Sequence, residues 1–299
     1  MPSRRLFLSS AAAALLAPRG AHAADPSPPA WMPQDLEVRD LAVAGDRALG
    51  RRFTLFVPKS LKPEEKVPLL VLLHGKGETG DERMGAWAWV ERYGLGTAYD
   101  RLRRAPIART SKRGDWTEGR LAEVNAHLAA KAFQGLVIAC PYTPDVHRTS
   151  NPAASLDGYA KWLAEVVVPR ARAEAPVFTE TARTALDGCS LGGYVGLEAF
   201  LRRPEVFGAW GGVQSAFGAH RAPGFAERLA KAVAAVGPRD LHLLTSQGDP
   251  FLPGNQKLAA ELSKKQVPCT LRVLPGPHDQ PWLREAGTIE MLLWHARRR

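Results

Sequence analysis

The sequence has few cysteines and no long apolar run. Its 299 residues include only Cys140, Cys189 and Cys269, without the CxxC or Cys/His spacing of a zinc site. Each lies in or beside a predicted strand, so we expect buried thiols, with one disulfide as the open alternative. The apolar run at residues 11–17 is far too short to span a bilayer, so we expect no stable membrane anchor.

Motifs for nucleotide and nucleic-acid binding are also missing. Neither GxGxxG nor a Walker pattern is present, and the sequence implies no metal and no organic cofactor. The 40 basic residues outnumber the 30 acidic ones, which gives a formal net charge of +10. The basic residues are scattered and are not interleaved with aromatic side chains. They are typical of solvated helix faces, and we expect no nucleic-acid partner.

The N-terminus has the pattern of a twin-arginine (Tat) export signal. Arg4-Arg5 is followed by the mildly apolar residues 11–17, and Ala21-His22-Ala23 fits an A-x-A cleavage site. Arg19, a positive charge near that site, is more typical of Tat than of Sec signals. We therefore predict that residues 1–23 are a signal peptide read by the Tat export machinery. The expected location is periplasmic or secreted.

After a linker at residues 24–34, apolar strands alternate with amphipathic helices, and we predict one domain over residues 35–299. Alternation of this kind indicates an α/β fold with a mostly parallel central sheet and helices on both faces. Residues 94–118 and 141–155 contain no predicted strand and are expected to shape a pocket near the strand ends. Strands are predicted at 36–43, 52–57, 67–73, 136–140, 184–187, 208–214, 241–245 and 270–274. Helices are predicted at 84–93, 119–131, 156–173, 191–202, 224–235, 255–266 and 281–296.

The most informative motif is Gly188-x-Ser190-x-Gly192, between an apolar run and a helical pattern. This is the sequence of a nucleophile elbow, in which a tight strand-to-helix turn exposes the serine hydroxyl and only small neighbours fit. Taken alone the pattern is weak. It gains weight because an acid and a histidine follow it in the chain.

Asp249 follows the predicted strand 241–245, and His278 lies in a Gly/Pro turn after strand 270–274. The order Ser, Asp, His is that of the α/β-hydrolase triad, with Asp249 orienting the imidazole and His278 acting as base. Asp279 competes with Asp249 as the acid, but adjacent side chains generally project in different directions. Asp187, inside the strand before the elbow, is predicted to be structural.

The oxyanion hole is expected to combine two backbone N–H groups. One is that of Leu191, directly after the nucleophile. The other comes from the glycine-rich loop 74–80, where Gly75 and Lys76 are both candidates. His74, at the start of this loop, is predicted to be a structural hydrogen-bonding residue rather than a base.

Four segments together resemble the esterase D-like branch of the α/β hydrolases, which includes feruloyl and acetyl-xylan esterases and S-formylglutathione hydrolases. The resemblance covers roughly residues 50–297 and implies that Ser190, Asp249 and His278 are nucleophile, acid and base. Lys76 and Glu78 depart from it, because many relatives have small residues there. The segments are Leu72-Leu73-His74-Gly75, Asp187-Gly188-Cys189-Ser190-Leu191-Gly192-Gly193, Arg202-Arg203-Pro204-Glu205-Val206-Phe207-Gly208 and Gly276-Pro277-His278-Asp279 with Trp282.

The sequence therefore predicts an exported serine esterase with an α/β-hydrolase fold that acts on a small-molecule or carbohydrate-linked ester. Two alternatives stay open. An acyltransferase would use the same triad with an alcohol in place of water, and its acceptor site would lie in residues 141–155. A non-catalytic binding protein would keep the hydrolase fold without turnover.

Overall fold

The computed structural model describes Pro29 and residues 31–297, and Trp31–Arg299 form one compact unit. The predicted signal peptide lies outside the described residues. So does the predicted linker, apart from Pro29 and residues 31–34. No helix in the described part of the chain is both long and apolar enough to cross a membrane.

The described residues form one eight-stranded sheet, with strand order β1-β2-β4-β3-β5-β6-β7-β8 once the strands are numbered along the chain. The second strand is antiparallel to both of its neighbours, and the third to the eighth strands run parallel to one another. The strands are β1 (Leu36–Ala42), β2 (Arg52–Pro58), β3 (Leu69–Leu73), β4 (Val137–Pro141), β5 (Thr184–Gly188), β6 (Ala209–Val213), β7 (Asp240–Gly248) and β8 (Thr270–Pro277). The predicted mostly parallel sheet is confirmed.

Helices connect the parallel strands, and π-helical turns occur in the connection from β4 to β5 and in the C-terminal segment after β8. The turns at Leu163–Val167 and Leu283–Gly287 join α-helices that otherwise run on without a break. The α-helices are α1 (Glu82–Glu91), α2 (Leu95–Arg103), α3 (Glu118–Ala130), α4 (Pro152–Trp162), α5 (Val168–Glu174), α6 (Leu191–Arg202), α7 (Ala222–Val236), α8 (Leu252–Lys264), α9 (Gln280–Trp282) and α10 (Thr288–Ala296). Short 3₁₀ turns lie at Lys76–Glu78, Val146–Arg148, Thr181–Arg183 and Ala219–Arg221.

Alternate side chains of the central strands feed two separate hydrophobic clusters, one on each face of the sheet. In β3, Val71 packs with residues of α4 to α8, whereas Leu70 and Leu72 pack with residues of α1, α2, α3 and α10. All five residues of β3 are fully buried. Burial of each Leu or Val side chain contributes roughly 1.5–3 kcal/mol. A strand covered on both faces explains the continuous apolar run in the sequence.

The sequence prediction missed one helix and shortened two strands. Helix α2 lies inside residues 94–118, where arginines and glycines mask a buried face formed by Leu95, Tyr99 and Leu102. Strands β7 and β8 extend to Gly248 and Pro277, because their pairing continues past a register shift at Ser246/Gly248. This extension matters for the site, because β7 then ends directly before Asp249 and β8 directly before His278.

Candidate active site

Ser190 lies on the tight turn between β5 and α6, with a φ of 54° and a ψ of −116°. The turn is fixed from below by two backbone hydrogen bonds, from Cys189 N to Leu73 O (3.1 Å) and from Ser190 N to Val213 O (2.8 Å). A Cβ at position 192 would lie 2.5 Å from Leu73 O, and one at position 188 would lie 2.5 Å from the Gly192 carbonyl carbon. Only glycine fits at both positions, which is why the motif requires them.

The structure brings Ser190, His278 and Asp249 together in one hydrogen-bonded chain. His278 Nε2 lies 3.1 Å from Ser190 Oγ, and His278 Nδ1 lies 2.9 Å from Asp249 Oδ1. Because the carboxylate can only accept, the Nδ1 atom carries the proton, and Nε2 is left to accept the serine O–H. Both distances lie within the range required of a nucleophile and its base.

The Asp249 carboxylate is buried and held by more than the histidine. Thr245 Oγ1 donates to Asp249 Oδ2 over 2.5 Å, and the Phe251 N–H donates to Oδ1 over 2.9 Å. The ring of Phe251 packs edge-on against the imidazole of His278 at 5.6 Å between centroids. These contacts hold the carboxylate next to the imidazole. The sequence analysis did not identify Thr245 or Phe251.

Asp279, the rival acid, is directed elsewhere. Its carboxylate caps α9 by accepting the Trp282 N–H over 2.8 Å. It also accepts two hydrogen bonds from Arg113 Nη2, of 3.0 and 3.1 Å. Within the described residues it makes no hydrogen bond to the imidazole of His278. The two aspartates are therefore separated by role: Asp249 contacts the histidine, and Asp279 anchors the turn that carries it.

The structure assigns different roles to the three expected oxyanion-hole donors. The Gly75 N–H donates to the Tyr93 hydroxyl over 3.2 Å, so it is already engaged. By contrast, the N–H groups of Lys76 and Leu191 meet no acceptor among the residues that the structure describes. Each begins a helical turn, where the first N–H groups have no partner within the helix. Of the two candidates in loop 74–80, the geometry favours Lys76.

A cavity of about 200 Å³ opens beside Ser190. Tyr93, Gln214 and Gln280 line it and were not predicted; they come from segments far apart in the sequence, so no local pattern marked them. Residues 94–118 and 141–155 contribute nothing to its lining as described, contrary to expectation. Arg113, in the first of these segments, instead contacts the lining residue Asp279. The lining residues are Gly75, Lys76, Gly77, Glu78, Tyr93, Cys189, Ser190, Gln214, His278, Asp279, Gln280 and Leu283.

Gln214 supports the turn that carries the histidine. Its side-chain amide donates to Ser246 Oγ (2.7 Å) and to the Pro277 carbonyl (3.1 Å), next to His278. The residue has a φ of 50°, and its own N–H donates to Leu244 O over 2.6 Å. Gln214 therefore links the ends of β6, β7 and β8 behind the catalytic candidates.

The remaining singled-out residues are structural. Asp187 is fully buried, accepting hydrogen bonds from the Gly188 N–H (2.6 Å) and from His295 Nε2 (2.7 Å), and burial raises its pKa. Cys140, Cys189 and Cys269 are free thiols; Cys140 and Cys189 are buried as expected, whereas Cys269 is only partly buried, contrary to expectation.

A larger cavity of about 640 Å³ is lined by Asp240 and Thr270, the first residues of β7 and β8. It therefore lies at the opposite edge of the sheet from Ser190.

His74 is a buried, neutral hydrogen-bonding residue, as the sequence predicts. Its Nε2 accepts the Thr143 N–H over 2.8 Å, and its Nδ1 donates to Gly75 O over 2.8 Å. Burial lowers the pKa of His74 to about 4. The imidazole therefore stays neutral near neutral pH and holds the end of β3 to the segment after β4.

We expect this buried histidine to make the protein acid-sensitive. In the unfolded chain a histidine binds a proton below about pH 6.5, whereas folded His74 stays unprotonated down to about pH 4. The contribution of neutral His74 to folding stability is therefore complete above about pH 6.5 and is lost as the pH falls towards 4. The loss amounts to about 3 kcal/mol of unfolding free energy.

The measurement is urea unfolding of the wild type and the His74→Gln variant at several pH values between 4 and 7. Buried His242, whose pKa burial also lowers, adds to the slope in both proteins. The variant should therefore show a smaller, but not zero, dependence on pH. Equal slopes for the two proteins would remove His74 from this account.

Comparison with known proteins gives matches among solved structures only. No protein-family model matches the chain, and no curated protein matches its sequence. Several solved structures match the fold of this chain. A ferulic acid esterase superposes with a TM-score of 0.63 at 19% identity, covering 88% of this chain and 98% of that one. S-formylglutathione hydrolase from Staphylococcus aureus gives a TM-score of 0.58 at 16% identity, covering 88% and 98%.

A third similar structure is the ferulic acid esterase of Anaeromyces mucronatus in complex with ferulic acid. It has a TM-score of 0.56 at 14% identity, and the match covers 88% of this chain and 91% of that one. These enzymes are of the kinds that the sequence resemblance names. Together with the strand order, they show that the chain has the α/β-hydrolase fold, as predicted.

Proposed function

We propose that this protein is an exported serine hydrolase that cleaves carboxylic esters through Ser190, His278 and Asp249. The observation that carries the proposal is the hydrogen-bonded chain from Ser190 Oγ through the imidazole to the buried Asp249 carboxylate. The Ser190 end of this hydrogen-bonded chain faces a cavity large enough for the reacting part of a small ester. The solved structures that resemble this one are named as ester-cleaving enzymes, which supports the same chemistry here.

Acylation begins when His278 Nε2 takes the proton of Ser190 as Oγ attacks the ester carbonyl carbon. Asp249 stabilises the imidazolium that forms. The carbonyl oxygen becomes an oxyanion, and the N–H groups of Leu191 and Lys76 are the proposed donors that bind it. When the tetrahedral intermediate collapses, the ester C–O bond breaks. The leaving alkoxide takes the proton from His278 Nε2, so the alcohol departs neutral and an acyl-enzyme remains.

Deacylation repeats these steps with water as the nucleophile. His278 Nε2 accepts a proton from the water, whose oxygen attacks the acyl carbon. Collapse of the second intermediate breaks the bond to Ser190 Oγ, and the imidazolium returns its proton to the serine. The products are the carboxylic acid and the regenerated enzyme. The small-molecule or carbohydrate part of the substrate leaves in the first step, as the alcohol.

An activity screen of purified protein tests this function. The panel contains p-nitrophenyl acetate, feruloyl esters and acetylated sugars, with the Ser190→Ala variant as the matched control. Hydrolysis of at least one ester by the wild type, but not by the variant, is the expected result. Product analysis with added alcohols separates hydrolysis from acyl transfer. No turnover of any ester by the wild type would contradict the proposal and favour a non-catalytic binding protein.

Export by the twin-arginine route is the second part of the proposal, supported by Arg4-Arg5 and the cleavage pattern that follows. Replacing both Arg4 and Arg5 by lysine should retain the protein in the cytoplasm, because the machinery reads the arginine pair itself. Cell fractionation and immunoblotting measure the shift. The Arg19→Lys variant is the matched control and should still be exported. Undiminished periplasmic accumulation of the double variant would exclude this route.

A further inference from the structure

The buried hydroxyl of Tyr93 forms hydrogen bonds at both ends of the 3₁₀ turn that lies beside the nucleophile. The Tyr93 Oη atom accepts the Gly75 N–H over 3.2 Å and donates to Glu78 Oε2. Gly75 and Glu78 bracket the 3₁₀ turn Lys76–Glu78. The backbone N–H of Lys76, the oxyanion donor favoured by the geometry, therefore lies between the two points that Tyr93 holds.

Glu78 is held in place beside the cavity. Only 2% of its surface is exposed to solvent, and its Oε1 atom accepts a hydrogen bond from Gln280 Nε2 over 3.3 Å. Among the described residues, Arg92 pairs with it at the limit of an ion pair: the Arg92 Nε atom lies 4.0 Å from Glu78 Oε1, and the arginine side chain is 42% exposed. Gln280 lies two residues after His278, so Glu78 connects the oxyanion turn with the segment that carries the base.

The same hydroxyl lies close to the nucleophile. A Cβ placed on Gly75 would be 3.1 Å from Tyr93 Oη and 3.7 Å from Ser190 Cβ. Burial, with neighbouring Cys189 and Glu78, raises the pKa of the Tyr93 hydroxyl far above its ordinary value. Tyr93 therefore keeps its proton near neutral pH and can donate it to Glu78.

From these contacts we infer that Tyr93, anchored by Glu78, is a positioning residue for the transition state. It fixes the turn that presents the Lys76 N–H to the oxyanion, and this inference rests on the proposed function. A backbone donor aids catalysis only if it lies at hydrogen-bond distance from the place where negative charge develops. Displacement of such a group by about 1 Å can cost about 100-fold in rate.

The Tyr93→Phe variant tests the inference, because it keeps the ring and removes only the hydroxyl. We expect kcat on p-nitrophenyl acetate to fall by about 10- to 100-fold, while KM changes less than about threefold. Affinity for a trifluoromethyl ketone, which forms a tetrahedral oxyanion with the serine, should fall by the same factor as kcat. A loss of structure alone would not shift transition-state affinity in proportion to kcat.

Three further variants complete the test. Tyr159→Phe, which removes another buried hydroxyl bonded to a carbonyl, is the matched control and should retain kcat. Glu78→Gln keeps an acceptor for the Tyr93 hydroxyl and should stay within about threefold of wild type, whereas Glu78→Ala should reproduce the loss. Glu78→Ala also serves as the test if Tyr93→Phe does not fold. All variants are compared at equal folded fraction, determined by thermal melting.

The outcomes separate this inference from the function on which it rests. If the wild type hydrolyses the ester and Tyr93→Phe or Glu78→Ala retains kcat and ketone affinity within twofold, the inference is wrong and the proposed function stands. A fall in kcat without a matching fall in ketone affinity also overturns it. If the wild type itself turns over no ester and binds no ketone, the proposed function fails first.

Discussion

Replacing Ser190 by alanine should reduce ester turnover by about 10⁶-fold. The reason is that Oγ forms the bond to the acyl carbon. His278 Nε2 would then face a methyl group, with no proton to accept. The rate should be measured on the best substrate of the ester panel, under saturating conditions.

Folding should survive this change. Ser190 is only partly buried, and its hydroxyl bonds to no described group other than the imidazole. Ser263→Ala, on the exposed side of α8, is the control and should change neither turnover nor melting temperature. Residual activity of the Ser190→Ala variant within tenfold of wild type would remove this serine from the mechanism.

The second large effect is expected at Asp249. Asp249→Asn should lower turnover by several hundredfold or more, towards the roughly 10⁴-fold loss known for a triad aspartate. An asparagine would offer its amide as a donor to Nδ1 and so favour the wrong imidazole tautomer. The variant would also weaken the contacts with Thr245 and Phe251, which hold the carboxylate.

Asp279→Asn is the matched comparison, because it makes the same chemical change one residue from His278. It should cost less than about tenfold. An asparagine can still cap α9, and the change weakens mainly the pair with Arg113, which is part-exposed. Turnover of both variants is measured on one ester at pH 8. If the Asp279 variant loses more activity than the Asp249 variant, the acid has been misassigned.

The parts of the site that local sequence patterns control were predictable. Glycine is required at positions 188 and 192 because a Cβ atom at either position would clash with backbone atoms. The elbow is therefore recognisable as a sequence motif. The strands that precede Asp249 and His278 are apolar runs that end in turn residues. Parallel pairing then brings their carboxyl ends to one edge of the sheet. These constraints act over a few residues and leave a pattern that can be recognised.

The supporting contacts could not be predicted, because they join segments far apart in the sequence. The sequence makes the Gly75 N–H a candidate oxyanion donor, but in the folded protein this N–H donates to Tyr93 Oη, which lies 18 residues away in the chain. Glu78 and Gln280 are separated by 202 residues, and nothing local marks either as a partner of the other. Likewise, Arg113 reaches Asp279 across 166 residues, so its segment shapes the site without lining it. Such pairings depend on tertiary packing.

The central claim is that Ser190 is the activated nucleophile of a hydrolase, and covalent labelling tests it most directly. The purified protein is treated with a fluorophosphonate, digested and analysed by mass spectrometry. A single phosphonylated peptide with the adduct on Ser190 is expected, and prior unfolding of the protein in urea should abolish the reaction. An unlabelled protein, or an adduct on another residue with Ser190 unmodified, would contradict the account.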